Sequence, residues 1–218
     1  MKVFAVIAAG GKGRRFGKMK QFVNFKELPL LVHTLKIFEK NKKIDSIIIV
    51  APKGMLKKTE KIINNYGIKK VKRIIAGGRR RQDSVLNGIK TIAEKNAIVV
   101  IHDAVRPFVS QDLINRGINL CKRYNAVIFG LPIYDTVKLV NKRRVVKTLS
   151  RESLFAIQTP QFFKINLLNN AYKEVDFKKE FTDESAVLEQ AGFPVYIFKG
   201  EIKNIKITTK EDLKFKDL

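Results

Sequence analysis

Apolar and polar positions alternate in blocks along the chain, and short apolar runs are separated by longer amphipathic segments. Short apolar runs bounded by turn residues predict buried strands, which we expect at residues 3–9, 44–51, 71–76, 97–102, 126–131, 195–198 and 204–208. The segments between them carry apolar side chains three or four positions apart, as at Leu31, Leu35 and Phe38, which is the spacing of a helix face. Helices are therefore expected at residues 30–40, 55–66, 81–95, 110–124, 166–175 and 183–191, with a short further helix near residue 218.

Strands that alternate with helices along a chain predict βαβ units, in which right-handed crossovers join parallel strands. The sequence therefore predicts an α/β fold with a Rossmann-like, three-layer, mostly parallel sheet and helices on both faces. No repeat, low-complexity tract or linker interrupts the sequence. We expect residues 1–218 to form a single domain.

The alternation of strands and helices breaks after Pro132. Residues 136–140 and 144–149 flank the turn-like residues 141–143, a pattern that predicts a β-hairpin. The faces of this hairpin are only half apolar, and an isolated hairpin is marginally stable in water. We therefore expect a protruding arm at about residues 133–156 that packs against something else, such as a second copy of the chain.

Composition is typical of a globular protein, and we expect a cytoplasmic location. Hydrophobic residues make up 45% of the 218 positions, which is enough to build a core at this length. The first apolar run stops at a glycine cluster, so it is too short to span a membrane and lacks the features of a signal peptide. Cys121 is the single cysteine, which excludes an internal disulfide, and its helical setting predicts a buried, unreactive thiol.

The charge is strongly positive, because 44 Lys and Arg residues face 20 Asp and Glu residues and give a formal net charge of +24. This balance favours anionic partners such as nucleotides, phosphorylated metabolites or nucleic acid. Alternatively, the positive charge comes from lysines distributed over the whole surface and indicates no particular partner. A basic nucleic-acid-binding protein is the hypothesis from another class, and it would need a basic stripe with interleaved aromatic residues. The lysines are spread along the chain instead, so no specific nucleic-acid partner is expected.

The first candidate site directly follows the first predicted strand, where glycines at 10, 11, 13 and 17 are interspersed with basic residues. Glycines let backbone N–H groups approach a phosphate without obstruction by a Cβ atom, and Arg14 and Arg15 add forked donors. No Gly-Lys-Ser/Thr closes the segment, and it does not match the dinucleotide fingerprint. The sequence predicts a phosphate-binding loop of another kind, or else a plain glycine turn with solvated bases.

A second candidate site lies at residues 77–84, again between a predicted strand and a helix, where sheets of this kind bind ligands. Gly77 and Gly78 can admit a flat base, and Ser84 can form a hydrogen bond with it. The following helix starts with three arginines at residues 79–81, although the helix dipole disfavours cations there. This arrangement predicts an anion close by.

A third candidate site follows the predicted strand at residues 97–102. Asp103 is suited to ribose hydroxyls or Mg²⁺, and Arg106 is suited to a phosphate or to orienting the aspartate. Alternatively, Asp103 and Arg106 form an ion pair that only fixes the loop. His102 is expected to be structural, because nothing in the sequence pairs it with a serine or a cysteine.

Eight motifs, in order along nearly the whole chain, resemble those of the 2-C-methyl-D-erythritol 4-phosphate cytidylyltransferase family. They lie at residues 9–15, 20–22, 81–85, 102–107, 135–138, 158–161, 182–186 and 204–208. Each motif is modest alone, but eight in sequence are specific. The forms Ala9-Gly10-Gly11 and Ala104-Val105-Arg106-Pro107 are also similar to a sister family, ribitol-5-phosphate cytidylyltransferase, which stays the alternative.

The resemblance implies transfer of CMP from CTP to 2-C-methyl-D-erythritol 4-phosphate, with release of pyrophosphate, in non-mevalonate isoprenoid synthesis. The residues that it implies in nucleotide binding are Ala9, Gly10, Gly11, Gly13, Gly77, Gly78, Arg81, Ser84, Asp103 and Ala104. The residues that it implies in binding the acceptor, a small polyol phosphate, are Arg106, Thr136, Arg151, Thr159, Thr182 and Lys206. The catalytic residues that it implies are Arg15, Lys20, Arg151 and Lys206.

The resemblance also implies a cofactor and an assembly. Mg²⁺, or another divalent cation, would be held mainly by the CTP phosphates, with Asp103 as the metal ligand from the protein. Arg151 lies in the arm, so it would reach the active site of the partner subunit in a homodimer. No membrane partner is implied.

Overall fold

The computed structural model describes residues 1–11, 13 and 16–215, and its centre is a seven-stranded sheet. The strands are β1 (Lys2–Ala8), β2 (Asn24–Phe25), β3 (Leu28–Pro29), β4 (Ser46–Ala51), β5 (Val71–Ala76), β6 (Ala97–Asp103), β7 (Ala126–Pro132), β8 (Val137–Asn141), β9 (Arg144–Leu149), β10 (Phe155–Lys164) and β11 (Tyr196–Lys199). The helices are α1 (Leu30–Lys40), α2 (Leu56–Asn65), α3 (Arg81–Ile89), α4 (Gln111–Tyr124), α5 (Ile165–Glu174) and α6 (Glu184–Gln190). Short 3-10 turns occur at Lys20–Phe22, Lys53–Met55 and Glu211–Lys214.

The strand order across the central sheet is β11-β7-β10-β6-β1-β4-β5. Strand β10 is antiparallel to both of its neighbours, and the other pairs in this sheet are parallel. The predicted α/β fold with a mostly parallel sheet is therefore confirmed. Because β1, β4, β5 and β6 are parallel, their carboxyl ends meet at one edge, where sheets of this kind bind ligands.

Helices cover both faces of the sheet, as predicted. Along β1, Ala5 and Ile7 pack with Leu35 of α1 and Leu113 of α4 on one face. The intervening side chains, such as Val6, pack with α3, α5 and α6 on the other face. Residues of a strand alternate between faces, so the continuous apolar run in β1 is explained by burial on both sides.

The predicted hairpin is confirmed as the antiparallel pair β8 and β9, which forms a separate two-stranded sheet. Lys142 and Arg143 make the turn with φ angles of 44° and 71°, as a two-residue hairpin loop requires. Four apolar side chains on this arm are 46–56% exposed, namely Leu139, Val140, Val145 and Val146. The arm thus stands away from the core that the rest of the described chain builds.

Two predicted elements were wrong, and the strand β10 was not predicted. Strand β10 contains Pro160, a residue that is disfavoured in a central strand, and the structure accommodates it with a register shift between Gln158 and Phe162. Helix α3 ends at Ile89, where the Thr91 hydroxyl donates to the Gly88 carbonyl, and does not continue to residue 95. Residues 204–208 do not form a strand, although the Ile207 N–H donates to the Val105 carbonyl. Among the described residues, no helix is long and apolar enough to cross a membrane.

Candidate active site

A cleft of about 1020 Å³ opens at the carboxyl-terminal edge of the sheet, a size that suits a bound small molecule. Many residues that the sequence singled out line it together: Ala9, Gly10, Gly11, Gly13, Lys20, Gly78, Arg81, Ser84, Asp103, Ala104 and Lys206. They come from the loops after β1 and β5, from the start of α3, from the end of β6 and the loop that follows it, and from the segment after β11. Motifs that are far apart in the sequence are thus brought to one cavity.

The loop after β1 is held in place by Gln21, which is buried. Its side-chain amide donates to the carbonyls of Ala9 at 2.7 Å and of Gly11 at 3.0 Å. Gly13 has a φ of +67°, and a Cβ atom there would lie 1.8 Å from the carbonyl oxygen of Lys18. Only glycine fits at this position, so the loop can keep this shape only with a glycine at position 13.

The loop after β5 is held by the side chain of Ser84. Its hydroxyl accepts from the Gly78 N–H and donates to the Arg80 carbonyl, both at 3.0 Å. A Cβ atom on Gly78 would lie 2.4 Å from Cβ of Asp83. The glycines therefore let the loop fold closely against the start of α3. Gly77 is not among the residues that line the cleft, whereas Gly78 and Ser84 are.

Asp103 is surrounded by three cations at the floor of the cleft. Its carboxylate oxygens lie 2.7 Å from Lys206 Nζ, 3.7 Å from Arg81 Nε and 3.7 Å from Arg106 Nε. Burial alone would raise the pKa of Asp103, but the positive charges of Lys206, Arg81 and Arg106 lower it well below its usual range. Asp103 is therefore ionised at neutral pH.

Arg81 connects Asp103 to a second carboxylate, Glu184, which is fully buried. Arg81 Nη1 lies 2.9 and 3.0 Å from the two carboxylate oxygens of Glu184. Burial raises the pKa of Glu184, and the neighbouring arginine opposes this shift. The anions predicted near the basic start of α3 are thus carboxylates of the protein itself, Glu184 and Asp103 beside Arg81 and Asp83 beside Arg80.

His102 is buried behind the cleft, and burial lowers its pKa to about 4. The Thr159 hydroxyl accepts from the Asp103 N–H at 3.0 Å and lies 3.2 Å from His102 Nδ1. His102 Nε2 lies 3.2 Å from the Arg106 carbonyl. Since a carbonyl can only accept, the neutral ring carries its proton on Nε2, and the Thr159 hydroxyl donates to Nδ1. His102 is structural, as the sequence predicted.

The remaining predicted site residues do not line this cleft. They are Gly77, Arg106, Thr136, Arg151, Thr159 and Thr182. Arg106 is buried, and its Nη1 donates to the Asn204 carbonyl at 2.8 Å. Thr136 and Arg151 are exposed at the arm, where Arg151 Nη1 donates to the Tyr134 carbonyl. Arg15 lies outside the described residues.

Among the residues that shape the cleft, those that sequence reasoning missed include Gln21, Glu184, Lys178 and Glu180. Gln21 and Glu184 belong to the motifs at residues 20–22 and 182–186, so membership of these motifs was a signal that could have identified them. Lys178 and Glu180 line the cleft from the segment between α5 and α6. That segment has no periodicity or glycine pattern, so no signal in the sequence marks it.

The described residues contain no group of three or more His, Cys, Asp or Glu that could hold a metal ion. Asp103 is the ionised carboxylate at the centre of the cleft, but three cationic side chains already surround it. A divalent cation in this cleft would therefore need most of its oxygen ligands from a bound molecule.

Comparisons with known proteins place the chain in one family. A family model described as 2-C-methyl-D-erythritol 4-phosphate cytidylyltransferase matches residues 3–217. Proteins of that name from Alkaliphilus metalliredigens and Clostridium beijerinckii are 42% and 43% identical; each alignment covers 97% of this chain, and 90% and 95% of those relatives. The crystal structure of 4-diphosphocytidyl-2C-methyl-D-erythritol synthase from Anaerococcus prevotii is 32% identical with a TM-score of 0.84, covering 98% of this chain and 95% of that one.

Proposed function

Because the chain belongs to the 2-C-methyl-D-erythritol 4-phosphate cytidylyltransferase family, we propose that it transfers CMP from CTP to 2-C-methyl-D-erythritol 4-phosphate and releases pyrophosphate. This reaction belongs to the non-mevalonate route to isoprenoid precursors. The observation that carries the proposal is the shared cleft, which is lined by the glycine loop, Lys20, Asp103 and Lys206. The ribitol-5-phosphate alternative is disfavoured, because the relatives that match over nearly the whole chain carry the methylerythritol name.

In this reaction, a phosphate oxygen of the acceptor attacks the α-phosphorus of CTP, and pyrophosphate leaves. A phosphate monoester is already anionic at neutral pH, so the nucleophile needs no general base. The main barrier is the approach of two polyanions, and transfers of this kind depend on positioning and on electrostatic stabilisation. Cationic side chains are therefore the catalytic groups that we expect.

Lys20 and Lys206 are suited to this task by their positions. Both line the cleft, and Lys20 Nζ donates to the carbonyl of Ile207 at 2.7 Å, so it lies beside the segment that carries Lys206. Lys206 is paired with Asp103 and is one-third exposed. We assign to Lys20 the stabilisation of the negative charge that develops on the α-phosphate and the pyrophosphate. We assign to Lys206 the binding of the acceptor phosphate. Arg15 is assigned the same role as Lys20, because of its place in the family motif.

Mg²⁺, or another divalent cation, is proposed to accompany CTP. When bound, it would supply positive charge that neutralises the phosphates. Asp103 is the residue that would contact it, since its carboxylate is ionised and lies at the cleft. Its three cationic neighbours keep this carboxylate ionised and fixed in place.

A homodimer is proposed because of the arm. Four of its apolar side chains are about half exposed, and burial of such surface against a partner would be favourable. Thr136 and Arg151 are exposed at the arm and do not line the cleft of their own chain. In the proposed dimer they would complete the acceptor site of the partner. A cytoplasmic location is proposed as well, in keeping with the expectation from the sequence.

The proposal is tested by a pyrophosphate-release assay with Mg²⁺ that combines CTP, ATP, GTP and UTP with methylerythritol phosphate and ribitol 5-phosphate. We expect turnover with CTP and methylerythritol phosphate. Turnover restricted to ribitol 5-phosphate would reassign the enzyme to the sister family. No turnover at all, together with DNA affinity that falls steeply with salt, would favour the nucleic-acid-binding alternative.

A further inference from the structure

Residues 176–181, here called the wall segment, connect α5 to α6 beside the start of α3. The segment has no helix or strand of its own, yet its Lys178 and Glu180 line the cleft. Segments without regular structure need other partners for their backbone groups. The position of this part of the cleft therefore depends on the side chains that hold the wall segment.

Arg80 is the main one of these side chains. Its Nη1 donates to the carbonyls of Lys178 and Lys179, both at 3.1 Å, and its Nη2 donates to the Phe177 carbonyl at 2.8 Å. The guanidinium carbon lies 5.2 Å from the centre of the Phe177 ring, within range of a cation–π contact. One arginine thus binds three consecutive carbonyls of the wall segment.

The other side of the same guanidinium is fixed by Asp83. Arg80 Nη2 and Nε lie 2.8 and 3.1 Å from the two carboxylate oxygens, and Asp83 also accepts from the Arg80 N–H at 2.9 Å. A guanidinium has five N–H donors in a planar fork. Three carbonyls and a carboxylate accept hydrogen bonds from all three nitrogens of the guanidinium. Arg80 therefore binds other groups of the chain, even though it borders the cleft.

A second side chain, that of Gln82, also forms hydrogen bonds with the wall segment. Gln82 is 1% exposed; its amide nitrogen donates to the Lys179 carbonyl at 2.8 Å, and its amide oxygen accepts from the Phe181 N–H at 2.7 Å. The wall segment is therefore attached to the start of α3 through two side chains, those of Arg80 and Gln82.

We propose that Arg80 is a positioning residue for the cytidylyl transfer, because it holds the wall segment, with Lys178, against the nucleotide side of the cleft. This inference rests on the proposed function. Lys178 would then add a positive charge beside the triphosphate. Removal of the Arg80 contacts should release the segment and weaken CTP binding, while the groups at the reacting phosphates stay in place.

The experiment compares Arg80→Ala and Arg80→Lys with Arg73→Ala, which removes one positive charge from an exposed position on β5. We expect KM for CTP to rise about tenfold in both Arg80 variants, as for loss of one hydrogen bond to a charged group, while kcat changes less than about threefold. Arg80→Lys should not restore the wild-type KM for CTP, because an ammonium has three donors and no planar fork. Arg73→Ala should behave as the wild type.

A structural readout that needs no turnover accompanies the kinetics. Limited trypsin digestion followed by mass spectrometry should show faster cleavage after Lys178 and Lys179 in both Arg80 variants. Hydrogen exchange of the Phe181 amide, which Gln82 binds in the native chain, should be accelerated as well. If Arg80→Ala does not fold, Arg80→Lys alone decides the outcome.

Three results would overturn the inference: unchanged cleavage and exchange, faster cleavage with an unchanged KM for CTP, or full rescue by lysine. Failure of the proposed function is a separate result. In that case the wild type would not turn over CTP with methylerythritol phosphate, while CTP binding by calorimetry and the digestion would still show whether Arg80 holds the wall segment for the nucleotide.

Discussion

At the scale of single residues, the floor of the cleft holds a balance of opposite charges. Asp103 is the centre, with Lys206 at 2.7 Å and two arginines at 3.7 Å. Each of these groups was identified from the sequence as a candidate, but Glu184, which neutralises Arg81 from behind, was not. The partner of an arginine depends on which segments meet in space, and no local pattern encodes that.

Lys20→Ala should lower kcat by about 10²–10³, by analogy with the loss of one oxyanion donor, because its ammonium is assigned to the charge of the transferred phosphate. The melting temperature should change little, since the side chain is partly exposed. Steady-state kinetics and thermal unfolding measure the two effects. Lys122→Ala, at an exposed position on α4, is the control. Wild-type activity in Lys20→Ala would refute the assigned role.

His102 should make stability depend on pH. Burial lowers its pKa to about 4 in the folded chain, while an unfolded histidine has a pKa of about 6.5. The unfolded state therefore binds the proton first, and the stabilisation present above pH 6.5 is lost as the pH falls towards 4.

Urea unfolding between pH 7 and 4 measures this loss. In His102→Gln the part of the loss that is due to His102 should disappear. His33→Gln, which changes the other histidine of the chain, should keep it. An identical pH dependence in His102→Gln and the wild type would contradict the buried, neutral ring.

At the scale of elements, the loop after β1 is the feature that the sequence predicted best. Glycines and bases after an apolar run indicated a loop that approaches a ligand, and the structure places that loop at the cleft. The reason is local, because a positive φ at Gly13 demands glycine. The position of β10 could not be predicted in this way, because pairing with β6 and β7 is non-local and Pro160 obscures the strand pattern.

Gly13→Ala should impair the loop after β1. An alanine there has an unfavourable φ of +67°, which alone costs about 1–3 kcal/mol, and its Cβ atom would lie 1.8 Å from the Lys18 carbonyl oxygen, so the loop must change shape. CTP affinity, measured by calorimetry, should fall. Gly54→Ala is the matched control, since a Cβ atom at Gly54 would have no neighbour within 4 Å. Equal affinity in both variants would contradict a phosphate-binding role for this loop conformation.

At the scale of the whole molecule, the predicted α/β architecture follows from periodicity, whereas the assembly does not. The sequence showed that the arm has half-apolar faces, and the structure shows that Leu139, Val140, Val145 and Val146 stay exposed on a single chain. Neither periodicity nor composition tells which surface covers them. The homodimer therefore remains a prediction that a measurement must decide.

A mixing experiment tests whether active sites are shared between subunits. Lys20→Ala and Arg151→Ala should each be nearly inactive alone. If Arg151 serves the partner's cleft, a heterodimer has one site with both residues intact, and unfolding and refolding an equal mixture should restore about a quarter of the wild-type activity under random pairing. Sedimentation should show dimers, and tagged subunits should confirm that mixed dimers form. Mixed dimers without recovered activity would exclude a shared site.

The register of the sheet has an evolutionary consequence for the arm. Pro132 at the end of β7 pairs with Phe155 at the start of β10, and the Ile133 N–H donates to the Leu154 carbonyl at 3.1 Å. In topological terms, the arm is only the oversized connection of a hairpin inside the central sheet. The entropy of closing such a connection grows slowly with its length. Insertions, deletions and substitutions in the arm can therefore change its contacts with a partner. They should have little effect on the stability of the strands that shape the cleft.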